Sequence, residues 1–273
     1  MTISIIIPVY NCENYIEKCL NSVISQKGAE LDIIVINDAS TDGTAKILEK
    51  YKDSVRVETF AENRGVSAAR NKGIEMIRGD YVMFLDGDDY LADGTISRLV
   101  SVIHETDTDI IKFRCVYVYP DGRIKEREDQ FDTYEIVEKK DFKKKIYPYF
   151  ISGIRLNNMC IGIYRRSLIE GRKFREDMKV AEDVVFSLDV YTKAQKVVTL
   201  PENLYNYYQS GTGLTGTGVS VLQKYKCNYV FAGETVKYLK EWDMDGFGTR
   251  VMVYLRPLRI TFYKIKRIIA GRR

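Results

Sequence analysis

The sequence predicts an α/β protein: a mostly parallel, doubly wound sheet with helices on both faces, followed by a C-terminal helical appendage. Three observations point there. Strand-like and helix-like apolar patterns alternate through the first hundred residues, as repeated strand, helix, strand units require. The strand-like runs are continuously apolar and β-branched, the pattern of strands covered on both faces. Near the C-terminus, from Leu255 on, the apolar spacing turns helical within a basic tail.

Taken in order, the runs ISIIIPVY (3–10), LDIIVIND (31–38), VRVETF (55–60) and DYVMFLD (80–86) read as strands. Between them Tyr15/Ile16, Cys19/Leu20 and Val23/Ile24 recur at helical spacing, as do Ile47, Leu48 and Tyr51, and then Ala68, Ala69, Gly73, Ile74 and Ile77. A helix over about 93–105 leads into DIIKFRCVYVY (109–119), and the turn signal PDG (120–122) closes a hairpin. Charges dominate 123–145 and give no clear element. NNMCIGIYRRSLIE (157–170) reads as a strand leading to a short helix, and AEDVVFSLDVYTKA (181–194) as an amphipathic helix with Val184, Val185, Leu188 and Tyr191 inward. The economical division is one domain over 1–218, with halves 1–106 and 107–218, and a helical region over 219–273.

The bulk numbers exclude several classes. With 273 residues, 45% hydrophobic and 29% charged, the chain can bury a sizeable core. A balance of 42 basic against 38 acidic residues leaves a net charge of +4, too small to argue for nucleic acid. The excess sits in the tail, where Arg250 to Arg273 holds eight Lys or Arg and no acid. Five scattered cysteines, without paired spacing, suit reduced thiols in a cytoplasm and neither a disulfide framework nor zinc. The N-terminus lacks a basic leader, Pro8 breaks its apolar run, and no stretch of about 18 apolar residues occurs.

In an open α/β sheet, ligands bind beyond the carboxyl ends of the strands. That rule brings Tyr10, Asn11, Asp38 and Asp86 to Asp89 to one edge. Asp86, Asp88 and Asp89 follow a buried strand directly, with Gly87 letting the backbone pass close. As an acidic turn capping the next helix the cluster is unremarkable in type. At a ligand edge it makes a hard-oxygen site for Mg²⁺ or Mn²⁺, completed by phosphate oxygens. In VINDASTDGT, Asp42 or Thr44 serves as a helix start, which leaves Asp38 free to accept from a base N–H. ENRGVSAARNKGI (62–74) sets Arg64 and Arg70 on a loop entering a helix, suited either to surface acids or to a nucleotide or phosphate.

The ordered set SIIIPVYNCENYIEKCLNSVISQ, DIIVINDASTDGT, NRGVSAARNKGI, YVMFLDGDDYL and AEDVVFSL strongly resembles the family-2 glycosyltransferases of GT-A fold, inverting enzymes that use a nucleotide-sugar, over roughly 2–215. The resemblance implies that Pro8, Val9 and Tyr10 line the nucleobase pocket, that Asp38 bonds the base, and that Arg70 lies near base or diphosphate. Asp86-Gly87-Asp88 matches the DxD element that contacts ribose and, through the cation, the diphosphate. Asp88, with Asp86, is then the metal ligand; Asp89 extends the motif. Glu182-Asp183 matches the acidic pair near the acceptor, with Asp183 the general base. The chain departs at Asn37-Asp38-Ala39, where many relatives carry two acids and a Gly. UDP is the default nucleotide, and a hexosyl or N-acetylhexosaminyl group the sugar. The acceptor is a carbohydrate or lipid-linked glycan, in bacterial surface polysaccharide or other glycan synthesis.

GTGLTG (211–216) formally matches GxGxxG but lacks the surrounding βαβ unit of a dinucleotide site. By resemblance it closes over the diphosphate through Thr212 and Thr215. His104 is assigned to structure. On a helix, Leu255, Leu258, Phe262, Ile265 and Ile269 form one stripe, with Arg256, Arg259, Lys264, Lys266 and Arg267 mostly elsewhere and Pro257 early. Such a basic amphipathic helix suits either an anionic membrane surface, making the protein peripheral on the inner face of the cell membrane, or packing on the domain or a second copy in a homo-oligomer. A phosphatase or phosphotransferase with a DxD nucleophile is the nearest rival. It wants Thr or Val two residues past Asp88, where Tyr90 stands, and leaves Asp38, Arg70 and Asp183 unexplained. A nucleotide-sugar-binding protein without turnover is the other alternative.

Overall fold

The computed structural model describes residues 1–127, 130–152, 156, 158–209 and 220–269, the side chains of 221, 222, 224 and 260–269 aside. Its first half is β1 (Thr2–Val9), α1 (Ile16–Ile24), β2 (Glu30–Asn37), α2 (Thr44–Glu49), β3 (Arg56–Thr59), α3 (Val66–Met76) and β4 (Tyr81–Phe84). These strands lie in the order β3-β2-β1-β4, all parallel, as the continuous apolar runs predict. Ile3, Ile5, Ile6 and Ile7 of β1 are fully buried, because β1 is central and its two faces both meet other elements.

The second half comprises β5 (Tyr90–Leu91), α4 (Thr95–Thr106), β6 (Ile110–Val118), β7 (Ile124–Glu126), β8 (Glu135–Glu138), α5 (Phe142–Lys145), α6 (Tyr147–Ile151), β9 (Gly162–Arg165), α7 (Glu182–Lys193) and β10 (Lys196–Tyr208). Here the sheet becomes mixed. β9 runs antiparallel between β4 and β6, whereas β10 runs parallel to β6. The mostly parallel arrangement expected thus holds, without exception up to β4 and with antiparallel pairings confined to the second half. A chain returning through β9 reverses direction, yet β6 and β10 still point their carboxyl ends toward the same edge as β1 and β4. The PDG turn does close a hairpin: β6 and β7 pair antiparallel, and Gly122 sits at φ 83°. The segment 135–138, without a clear sequence signal, becomes the edge strand β8 on β10.

The inward face of α7 is wider than the spacing predicts. Phe186, Ser187 and Val190 are buried beside Val184, Leu188 and Tyr191, while Val185 is half-buried. The reason is the appendage, α8 (Val221–Leu239) and α9 (Phe247–Ile269), which packs α8 against α7 and α9 against α8. The connection between them carries Trp242, which stacks on Tyr147 with ring centroids 4.4 Å apart and donates its indole N–H to Thr192 at 2.8 Å. Because α9 begins at Phe247, Pro257 lies inside the helix, not early in it. Val253, Arg256 and Pro257 face inward, with the Arg256 guanidinium 4.2 Å from the Phe231 ring, so one of the tail's basic residues is spent on packing. Leu255 and Leu258 of the predicted stripe are 45% and 48% exposed.

Candidate active site

Parallel strands deliver their ends to one edge, and three loops assemble there. Beyond β4, the Leu85 N–H still bonds Ile6 at 3.0 Å, and the chain then turns, the Asp89 N–H closing on the Asp86 carbonyl at 3.0 Å. Glycine is required in this turn. A Cβ at Gly87 would lie 2.7 Å from Val9 Cγ1, so the turn can seat on the end of β1 only without a side chain. Pro8 and Val9 are accordingly buried under the turn, and of the three residues assigned to the base pocket only Tyr10, 48% exposed, offers its ring at the rim.

The carboxylates of the turn do different work. Asp89 is enclosed, accepting from the Tyr205 hydroxyl at 2.5 Å and the Tyr208 N–H at 2.8 Å. Burial, then the charges of Asp86 and Asp88, raise its pKa, and the two hydrogen bonds oppose this. Asp89 therefore ties the turn to β10 as a structural clamp. Asp88 has no cationic partner among the described residues, and burial, reinforced by Asp86, pushes its pKa up to about 6.

Asp86 meets the cation at the centre of the site. Arg70 rises from α3, 4% exposed, and sends Nη2 to Asp86 at 2.9 Å and Nη1 to Asp183 at 2.8 Å and Glu182 at 3.2 Å. Its guanidinium also lies 5.4 Å from the Phe174 ring. The sequence reading set Arg70 against base or diphosphate. The structure directs its guanidinium at three carboxylates from two segments, the turn after β4 and the start of α7. Glu182 and Asp183 open α7, just after Ala181, which is held at φ 66°. A non-glycine residue in that left-handed region costs about 1–3 kcal/mol and marks a geometry imposed by its surroundings. Burial raises both carboxyls, Glu182 to about 7 with Asp183 adding and Arg70 opposing; at Asp183 the Arg70 charge is the chief opposing influence.

Asp38 is 3% exposed, and its carboxylate accepts the backbone N–H groups of Arg64 at 2.7 Å and Gly65 at 2.8 Å. It shapes the loop entering α3 and thereby the start of the helix that carries Arg70. Asn37 caps the same corner by accepting from Ser40 N–H at 3.1 Å, and Ala39 takes φ 56°, the left-handed conformation that favours glycine. Thr212 and Thr215 lie outside the described residues. The site thus joins Asp86, Asp88, Asp89, Arg70, Glu182 and Asp183, with Asp38 one step behind. Sequence reasoning missed Tyr205, for which strand spacing holds no cue, and the buried pairing of Arg70, hinted at by its small neighbours Ala68 and Ala69.

A GT-A sheet with a DGD turn after β4 and an acidic pair opening a late helix defines a class, and the family model described as glycosyl transferase family 2 matches residues 4–172. The chain belongs to that family. Among curated proteins it is 32% identical over 228 residues to the uncharacterized glycosyltransferase EpsJ of Bacillus subtilis, covering 78% of this chain and 62% of EpsJ. It is 28% identical over 218 residues to the poly(ribitol-phosphate) β-N-acetylglucosaminyltransferase TarS of Staphylococcus aureus, covering 76% of this chain and 35% of TarS. The crystal structure of S. aureus TarS 1–349 with UDP-GlcNAc superposes with a TM-score of 0.71 at 28% identity, covering 86% of this chain and 66% of that one. The chain thus spans about a third to two thirds of the length of these relatives.

Proposed function

We propose that this protein transfers a sugar from a UDP-sugar to a hydroxyl of a carbohydrate or lipid-linked glycan acceptor, with inversion at the anomeric carbon, in the synthesis of a surface polysaccharide or related glycan. UDP is favoured by the UDP-GlcNAc held by TarS 1–349. The observation that carries the reading is the charge imbalance of the site: Asp86, Glu182 and Asp183 share the single Arg70 guanidinium, while Asp88 and Asp89, whose charges act on one another and on Asp86, have no cationic partner among the described residues. A nucleoside diphosphate would be repelled by such a cluster unless a divalent cation came with it.

The residues fit a cation in that role. Asp88 offers a carboxylate without a cationic partner among the described residues, raised to about 6 by burial and by Asp86 beside it. Among the described residues no group of three or more metal-ligating side chains forms a cage. The set therefore suits Mn²⁺ or Mg²⁺ bound through one or two carboxylates together with diphosphate oxygens. When bound, the cation would neutralise charge growing on the departing diphosphate. The chain's own groups do the rest. Tyr10 borders the base, and Asp38 keeps lone pairs free on both oxygens to accept from it. Asp183, fixed by Arg70 at the start of α7, takes the proton of the attacking hydroxyl as the new bond forms opposite the breaking one.

A thermal-shift screen of UDP-, GDP- and dTDP-sugars with and without Mn²⁺ tests it. A UDP-sugar with Mn²⁺ is expected to stabilise the protein by about 2.7 kcal/mol at a hundredfold excess over Kd. The effect should weaken on acidification: below about pH 6 the cation competes with a proton at Asp88, and its affinity falls about tenfold per pH unit. No response to any nucleotide-sugar, or a response independent of metal and pH, would sink the assignment.

The exposed side of α9 belongs to the same proposal. Phe247, Val251, Tyr254, Leu255 and Leu258 are exposed, on the side of the helix away from Val253, Arg256 and Pro257, and the surrounding tail is purely basic. Among the described residues no helix is long and apolar enough to cross a membrane. A peripheral anchor on an anionic bilayer, where a lipid-linked acceptor lies, suits that face. Co-sedimentation with vesicles containing phosphatidylglycerol should be strong, with pure phosphatidylcholine vesicles poor, and Leu255→Glu with Leu258→Glu should abolish it. Binding to neither vesicle, with a concentration-dependent dimer lost in that variant, would assign the face to a second copy.

A further inference from the structure

Lys112 stands on β6 with 1% of its surface exposed, among the largest fully enclosed side chains of the protein. Lysines are almost never enclosed without partners for the ammonium. Its register partner on β9 is Gly162, where a Cβ would lie 3.0 Å from Lys112 Cδ and 2.8 Å from the Tyr164 hydroxyl. The glycine makes the room that the lysine stem needs.

The ammonium is spent on one short segment. Nζ donates to the Asn158 carbonyl at 2.6 Å and contacts the Tyr164 hydroxyl at 3.5 Å; that hydroxyl donates to the Met159 carbonyl at 3.1 Å. Asn158 Oδ1 accepts the Cys160 N–H at 2.7 Å, closing the turn. Two successive carbonyls of this turn are thus held from inside the sheet. The turn in turn touches the acidic pair. The Met159 backbone favours the ionised Asp183 carboxylate. Ser187, one turn along α7, donates to the Asp183 carbonyl at 2.7 Å and lies 3.1 Å from the Met159 sulfur. Cys160 Sγ is 4.0 Å from Arg70.

We propose that Lys112 is a positioning residue for glycosyl transfer: it clamps the Asn158–Cys160 turn that orients Asp183, without itself touching donor or acceptor. The inference rests on Asp183 being the base. Burial brings the Lys112 ammonium down to about 7, against the opposing pull of Cys160 and Asp183, with Arg127 adding to the lowering. A hydrogen-bond donor enclosed in the core, with a glycine opposite to admit it, is explained by the turn it holds and by no packing need, which a methionine would meet as well.

The test compares Lys112→Met, Tyr164→Phe and Asp183→Asn by hydrolysis of UDP-GlcNAc, water replacing the acceptor, alongside Mn²⁺-dependent binding of the same donor. Lys112→Met should bind donor within about twofold of the parent yet turn over about 10–100-fold more slowly, as displacement of a catalytic group by an ångström does. Tyr164→Phe, which keeps the ring, should lose turnover in the same direction by less, and it decides the matter if Lys112→Met does not fold. Donor binding and turnover falling together, or neither variant slowing turnover while Asp183→Asn stops it, overturns the role of Lys112 alone. Turnover surviving Asp183→Asn overturns the base assignment and this proposal with it.

Discussion

Asp183→Asn is expected to slow sugar transfer by about 10²–10⁴-fold, the usual contribution of a general base, while Mn²⁺-dependent donor binding stays close to that of the parent. The amide keeps the shape of the carboxylate and can still accept from Arg70, which retains Asp86 and Glu182 as charged partners. What it removes is the proton acceptor. Isothermal titration with UDP-GlcNAc and Mn²⁺, run beside a radiolabelled transfer assay, separates the two effects. Unchanged transfer would move the base elsewhere, with Glu182 next in line because burial already holds its pKa near 7. Equal loss of binding and transfer would instead make Asp183 part of the donor site.

Arg70→Met is expected to damage the fold itself. It leaves Asp86, Glu182 and Asp183 enclosed without their shared cation, and breaking a buried ion pair from one side costs about 3–5 kcal/mol. In a chain of this size that corresponds to a drop of roughly 10 °C in melting temperature. The defect should depend on pH with a definite sign. Glu182 and Asp183 already bind protons more tightly folded than unfolded, and losing Arg70, which lowers both, widens that gap. The folded variant therefore takes up protons as pH falls, so it recovers toward pH 5 and is worst above pH 7. Melting curves across that range check the sign. A second change, Asp86→Asn, should restore part of the loss, because fewer uncompensated charges remain. A variant as stable as the parent at pH 8 would show that the three carboxylates do not depend on Arg70.

Both expectations turn on one residue that the sequence places but does not interpret. Arg70 stands in SAARNKG, and its small neighbours signal close packing, but nothing in linear order tells which acids it will meet. Glu182 and Asp183 are more than a hundred positions away and arrive through β9 and α7. The same holds for Asp89, whose clamp on Tyr205 and Tyr208 spans two strands. Asp38, expected to hold a base, proves first to hold the loop before α3.

By itself the sequence determined the strands and helices of the first half and their parallel sense, because β-branched apolar runs alternating with helical spacing admit few other packings. It also determined that Asp38 and the Asp86–Asp89 turn share an edge, since parallel strands end on one side. Only the tertiary structure decided how the acids divide their labour: Asp89 to the fold, Asp86 and the Glu182-Asp183 pair to Arg70, and Asp88 without a cationic partner among the described residues. The physical reason is that a carboxylate's role is set by its burial and by the charge beside it. Both are made by segments far apart in the chain and brought together only when the sheet closes around Arg70.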